Sequence, residues 1–360
     1  MFRRYGHEIS PELSRHLQWG GLAVASLMAV TVLLAVQAPA ALLMGPLAAG
    51  VAFGLNGATI RPAPIVFAGA QALVGCLIAL SATPGFYAGV VAHLPVYVVL
   101  GGATLAVTLG IGWFMALRGW LPGATAIWGL APGASTAMVL MADAFGGNRR
   151  LVAMMQYLRV LMVALVAIGL AQIKGAHPHA DVDWLAFGDP GMVLATLAFA
   201  AVAGLIGRVS KMPAGVFLVP MLLGSALQAS GLVQLKLPQL VSAVAYAVVG
   251  WSIGLGFTRA AVIYSARMLP RIVAVQVAVL VICGFLAIGV AAVTGVDLFS
   301  AYLATSPGGT DTILIIASST PVDLPFILGG QLVRFLMVLA LGPILARMLA
   351  RHVLSPKPAG

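Results

Sequence analysis

Leu130-Ala-Pro-Gly-Ala-Ser-Thr136 and Thr305-Ser-Pro-Gly-Gly-Thr-Asp311 decide the fold of this chain. Each sets Pro-Gly near the middle of an apolar segment. Proline cannot donate a helical hydrogen bond and glycine permits a reversal of the chain. Each segment is therefore either a broken spanning helix or a re-entrant hairpin. Downstream of each stands Gln-x-x-Arg, as Gln156 and Arg159 and as Gln331 and Arg334. A step of 175 residues carries Pro132-Gly133 to Pro307-Gly308, Gln156 to Gln331, Arg159 to Arg334, and Leu161-Met162-Val163 to Leu336-Met337-Val338. Further upstream Gly75 meets Gly250 at the same step, and Pro46 and Gly50 meet Pro220 and Gly224 at a step of 174. Apolar matches come cheaply in such a chain, but matched Gln and Arg inside apolar segments do not. The sequence reads as a tandem duplication, with a first unit over 1–176, a linker over 177–183 and a second unit over 184–360.

Composition names the solvent. Of 360 residues, 61% are hydrophobic and 8% charged, against about 25% charged in a soluble domain. A water-soluble fold with so few charges would expose an aggregating surface. The apolar runs extend to about 20 residues, the length a helix needs to cross a ~30 Å hydrocarbon core. They are continuous rather than alternating, which excludes a β-barrel reading. Six segments recur in each unit, roughly 17–36, 39–58, 64–82, 93–117, 121–146 and 151–173, then 190–208, 213–231, 238–258, 271–294, 298–320 and 324–346. The run from Leu17 to Val36 is too long for a typical signal segment and has a counterpart in the second unit, so it is expected to be retained.

The net charge of +10 does not point to nucleic acid, because the basic residues sit singly or in pairs between apolar runs, as in cytoplasmic loops of membrane proteins. If the fifth segments are re-entrant and the N-terminus is cytoplasmic, fifteen basic residues lie inside, against Lys174 and Lys236 outside. If those segments cross, the split becomes ten against seven. The positive-inside rule prefers the first arrangement. It makes five crossings per unit, an odd number, so the second unit is inverted. The expected fold is all-α, two inverted repeats each of five transmembrane helices and one re-entrant Pro-Gly hairpin. Both termini are expected on the cytoplasmic side of the inner (plasma) membrane.

Two arginines fall within apolar segments, Arg159 about 12 Å and Arg334 about 15 Å from the segment start at ~1.5 Å per residue. An arginine at that depth costs at least ~3 kcal/mol and normally faces a cavity or a partner. Gln156 and Gln331 share their helix faces. One reading is a site for an anion such as a carboxylate, held by bidentate contacts. The other is that each arginine satisfies loose carbonyls of its Pro-Gly loop, or that Arg159 pairs with Asp311. The two are not exclusive. The loops add Gly133, Ser135 and Thr136 in the first copy, and Gly308, Gly309, Thr310 and Asp311 in the second. Asp311 breaks the symmetry and is a candidate for coupling to H⁺ or Na⁺.

Metal and cofactor chemistry find no support in the pattern. His7, His16 and His352 lie near the termini, His93 at a segment boundary, and His177 and His179 in the linker. Cys76 and Cys283 lie inside apolar runs and read as small buried residues. No catalytic set, cofactor or metal is expected. The Gly-x-Gly at Gly254 and Gly256 reads as close helix packing.

The paired Pro132-Gly…Gln156-x-x-Arg159 and Pro307-Gly…Gln331-x-x-Arg334 elements resemble the duplicated membrane proteins of the AbrB family, distinct from the soluble DNA-binding regulator of that name. The likeness covers residues 20 to 350 or so. Members carry the labels of membrane regulators of gene expression or of ammonia monooxygenases. In plan the chain is also similar to inverted-repeat secondary transporters. Where the second loop has Pro-Gly-Gly, the first has Pro-Gly-Ala. The resemblance implies a membrane protein, and the residues point to a transporter of a small anionic solute with any regulatory effect indirect. A regulator acting through a protein partner and a monooxygenase-like enzyme are the alternatives, the latter lacking metal ligands. Self-association is left open.

Overall fold

The computed structural model describes residues 15–35, 40–80, 86–132, 138, 142, 145–173, 189–210, 212, 214–231, 235–308, 310–318 and 320–354. Among them regular structure is helical, apart from one isolated bridge between Gly123 and Gly147. In chain order the helices are α1 (Arg15–Ala35), α2 (Ala41–Leu55), α3 (Pro64–Ala79), α4 (Phe86–Ala92), α5 (Leu94–Leu117), α6 (Thr125–Leu130) and α7 (Arg149–Ile173). There follow α8 (Pro190–Val209), α9 (Gly215–Ala229), α10 (Gln239–Gly254), α11 (Arg259–Ser265), α12 (Leu269–Thr294), α13 (Leu298–Thr305), α14 (Thr310–Ser318) and α15 (Leu324–Leu354).

Six of these, α1, α5, α7, α8, α12 and α15, are long and apolar enough to cross a membrane. They are the first, fourth and sixth segments of the two halves. The second and third segments form shorter apolar helices of 15 or 16 residues, about 24 Å at most. The chain is an all-helical protein of multi-pass membrane type. α4 and α11, short helices ahead of α5 and α12, are additions that hydropathy did not suggest.

Proline explains why the fifth segments break. A residue before proline is pushed out of the helical region. Ala131 accordingly has φ −55° and ψ 119°, and Ser306 has φ −60° and ψ 130°. α6 thus ends at Leu130 and α13 at Thr305. The second copy resumes as α14, whose first two residues are Thr310 and Asp311. These two were expected in the loop. Proline's steric effect falls on the residue before it, so the helix restarts as soon as Gly309 is passed.

Polar side chains join the two ends of each broken segment. The backbone N–H of Asn148 donates to Thr125 Oγ1 at 2.9 Å, and that of Asp323 donates to Ser300 Oγ at 2.9 Å. Thr125 and Ser300 stand in the first turns of α6 and α13, while Asn148 and Asp323 cap α7 and α15. Each broken segment therefore starts and finishes at one point.

Short helices pack across the halves in matched pairs. α2 lies against α10, and α3 against α9. A Cβ on Gly250 would come within 2.9 Å of Leu47 N, and one on Gly75 within 3.2 Å of Met221 N. Likewise Gly50 sits 3.1 Å from Gly254 Cα, and Gly224 2.8 Å from Ala79 Cβ, by the same measure. Every residue in one contact is carried to its mate in the other by a step of 174 or 175. Small residues let backbones approach this closely where no hydrophobic force drives helices together in lipid. Ala40 and Ala214, before α2 and α9, are also mates, and both adopt left-handed backbone with φ 54° and 55°.

Glycine is required at the α2–α10 seam. A methyl added at Gly254 would lie 2.7 Å from Val51 N. Gly254→Ala is expected to cost about 1–3 kcal/mol, read as a lowered unfolding temperature in detergent. Gly284→Ala, where an added Cβ meets nothing within 4 Å, should leave that temperature nearly unchanged.

Candidate functional site

A helix that stops inside an apolar medium leaves its last four carbonyls without partners. At the end of α6 the accounting closes. Gln156 Nε2 donates to Trp128 O at 3.2 Å, Gly129 O at 3.4 Å and Ala131 O at 3.2 Å. Arg159 Nη1 donates to Leu130 O at 3.4 Å and Ala131 O at 3.1 Å. At the end of α13, Gln331 Nε2 donates to Leu303 O at 2.6 Å and Ser306 O at 3.4 Å. Arg334 Nη1 donates to Ser306 O at 2.6 Å, and its Nη2 to Gly308 O at 3.3 Å. Thr305 Oγ1 donates to Tyr302 O at 3.0 Å.

In each half the arginine also grips its glutamine. Arg159 Nη2 donates to Gln156 Oε1 at 2.5 Å, and Arg334 Nη2 to Gln331 Oε1 at 2.6 Å. The bond orients the amide so that its NH₂ faces the loop. Both arginines stand ten positions after the first residue of their helix, at 149 and 324. At ~1.5 Å per residue they lie equally deep, about 15 Å, whereas the apolar pattern alone had set Arg159 shallower. Arg159 is 2% and Arg334 4% exposed, and both glutamines are fully buried.

The loop-holding role of the two Gln-Arg pairs is thus what the structure displays directly. It does not use up the guanidinium donors. Among the described residues, Nε of Arg159 and Nε of Arg334 are buried without a hydrogen-bond partner. Among the described side chains no carboxylate contacts either one. Asp189, Asp297 and Asp323 each accept backbone N–H groups at the start of α8, α13 and α15.

Gly308 is the one other expected site residue brought to this place with its surroundings defined. Its carbonyl accepts from Arg334, and a Cβ there would meet Val163 Cγ1 at 2.7 Å. The break of the second segment therefore rests on α7, one turn beyond Arg159. Ala131, at the first tip, falls in one buried cluster with Val338 of α15, the mate of Val163. Thr310 and Asp311 open α14, with only their backbone described. Gly133, Ser135, Thr136 and Gly309 lie outside the described residues.

Some partners escaped the reading of the sequence. Thr125, Asn148, Ser300 and Asp323 close the hairpin mouths. They obey the step of 175, but as Thr for Ser and Asn for Asp, so a search for identities passes over them. Gln276, on α12, donates through Nε2 to Met155 O on α7 at 3.0 Å. Its mate is Gly101, whose Cβ position lies 3.3 Å from Arg334 Cα. No identity flags that pair either.

Removing an amide would leave buried carbonyls without donors, at about 1–3 kcal/mol for each group. Gln156→Leu and Gln331→Leu are each expected to lower the unfolding temperature clearly. Asn148→Ala, which removes one cap, should cost only about 1 kcal/mol. Thermal unfolding of the three variants side by side checks the order.

Comparison with known proteins supplies the family. The family model described as "Transition state regulatory protein AbrB" matches residues 42–350. A protein of Escherichia coli (strain K12), named there as a candidate regulator, AbrB, is 38% identical over 344 residues, covering 95% of this chain and 98% of its own length. On both counts, this chain belongs to the AbrB family.

Proposed function

We propose that this AbrB-family protein is a secondary transporter of a small anionic solute, built from two inverted repeats of five crossings and one re-entrant hairpin each. The observation that carries the reading is the pair of buried guanidinium groups, each gripping a broken segment while its Nε has no partner among the described residues. A buried cation with spare N–H donors is a natural seat for a carboxylate or similar anion. The hydrogen-bonded mouths support re-entrance, because a segment that returns to its starting point does not cross. The exchange of contacts between α2–α10 and α3–α9 supports a two-fold relation between the repeats. With five crossings each, that axis lies in the membrane plane, as in many transporters.

Asp311, in the first turn of α14, is the acidic residue we assign to coupling with H⁺ or Na⁺. The name of the bacterial relative favours a second reading, a membrane regulator working through a protein partner. A transporter accounts for a regulatory effect without such a partner, by altering the supply of a metabolite. We further propose the inner membrane as the location, with both termini cytoplasmic.

A thermal-shift screen of carboxylates and other small anions on purified protein identifies the solute, since a ligand of the native state raises its unfolding temperature. Uptake of that solute into proteoliposomes is then expected to fall at least tenfold in Arg159→Gln and in Arg334→Gln, which keep amide donors at the loops. Uptake at the parental rate in both variants overturns the proposal. Topology has its own measurement. With Arg149→Cys and Pro321→Cys, impermeant thiol reagents should reach position 321 from outside and position 149 from inside. Labelling of both from one side rejects the inverted arrangement.

A further inference from the structure

α11 is a seven-residue helix bent 44° from α10, and it has two faces. Ser265 is fully buried, while Ile263 is 63% and Tyr264 49% exposed. Exposed Arg259 and Arg267 stand at its two ends, and exposed Arg271 lies in the first turn of α12. A fourth arginine comes from α7, for Arg150 sets its guanidinium over the Tyr264 ring at 5.7 Å. Leu151 beside it and Ile272 beside Arg271 belong to one buried cluster, and α7 packs on both α11 and α12. Asn148 Nδ2 donates to the Tyr264 hydroxyl at 2.7 Å. The result is a small apolar ledge, Ile263 and Tyr264, with Arg150 over its ring and three further exposed arginines on α11, just after it and at the start of α12.

Charge there is unbalanced. The three carboxylates with described side chains, Asp189, Asp297 and Asp323, each cap another helix. Among the described residues none faces this ledge. Arginines around an exposed aliphatic and an aromatic side chain match a phospholipid, with its phosphate at the charges and an acyl chain over the apolar surface. We infer that α11, with the starts of α7 and α12, forms a binding site for one anionic phospholipid of the surrounding bilayer. The inference rests on the membrane topology proposed above, which sets this ledge at the cytoplasmic leaflet. Anionic lipids concentrate in that leaflet and attract basic residues close to its surface.

Lipid at this ledge reaches the first hairpin through one residue. Asn148 holds Tyr264, caps α7 through its Oδ1, and gives its backbone N–H to Thr125 at the hairpin mouth. A headgroup that fixes Tyr264 and Arg150 thereby tightens the closure of that mouth. At the mouth of the second hairpin Asp323 takes the place of Asn148.

The test uses the full chain in a neutral detergent, followed by thermal unfolding with increasing dioleoylphosphatidylglycerol, dioleoylphosphatidylcholine or sodium phosphate. Phosphatidylglycerol alone is expected to raise the unfolding temperature in a saturable way. Each arginine near an anionic headgroup accounts for about fivefold in affinity, so Arg259→Gln with Arg267→Gln should weaken the effect about 25-fold. Arg118→Gln, an exposed arginine elsewhere, should leave it intact. If the double variant unfolds in detergent before lipid is added, Arg271→Gln carries the same measurement at about fivefold. An equal response to phosphatidylcholine, a response to phosphate alone, or unchanged affinity in the variants overturns the site. The assay needs neither transport nor sidedness, so its failure leaves the transporter proposal standing, and the converse also holds.

Discussion

Carbonyl oxygens set free inside an apolar medium are the constraint on which this structure depends. Pro132 and Pro307 stop two helices where water cannot complete their hydrogen bonds. Each unmade bond would cost several kcal/mol in such surroundings. The chain answers with one guanidinium and one amide per break, delivered three residues apart from the long helix that follows the broken segment. That demand explains an arginine at a depth where an isolated one would be strongly unfavourable. The Pro-Gly element and the Gln-x-x-Arg element are two halves of one requirement, so both occur twice.

The second organising fact is reciprocity. α2 leans on α10 as α9 leans on α3, and the glycines in contact are mates under one step along the chain. The left-handed alanines ahead of α2 and α9 make the same point through backbone. A left-handed conformation costs an alanine about 1 kcal/mol or more, and here it occurs at both mates. The helices at this seam are shorter than a full span, and each packs one face on its partner from the other half. The long helices carry large exposed apolar faces, as at Leu194, Leu205, Phe285 and Val293.

Much of this was legible before any coordinates. Identities at Pro132, Gln156 and Arg159 marked the repeat and the residues that anchor it, because a buried guanidinium tolerates few substitutes. The break points followed from the missing donor of proline and the reversal that glycine permits. Other features were hidden for physical reasons. Thr125 and Ser300 perform one task with different side chains, and so do Asn148 and Asp323, since a hydroxyl or side-chain oxygen suffices there. Thr310 and Asp311 were assigned to a loop because the breadth of a break cannot be read from the residues that cause it. α4 and α11 fell at segment boundaries, where hydropathy has least to say. Gln276 was silent because its mate is a glycine, and a repeat search sees only what both copies keep.

The tie at each hairpin mouth has a mechanical meaning. Each broken segment is bonded at its mouth to the cap of the helix that follows it, and at its break to an arginine of that same helix, so it is attached as a limb of α7 or of α15. The second limb rests its tip on the shaft of the first, at Gly308 on Val163, and Ala131 shares a buried cluster with Val338 in the reciprocal place. Position is thereby shared between the halves, since where one shaft stands fixes where the other's tip can rest.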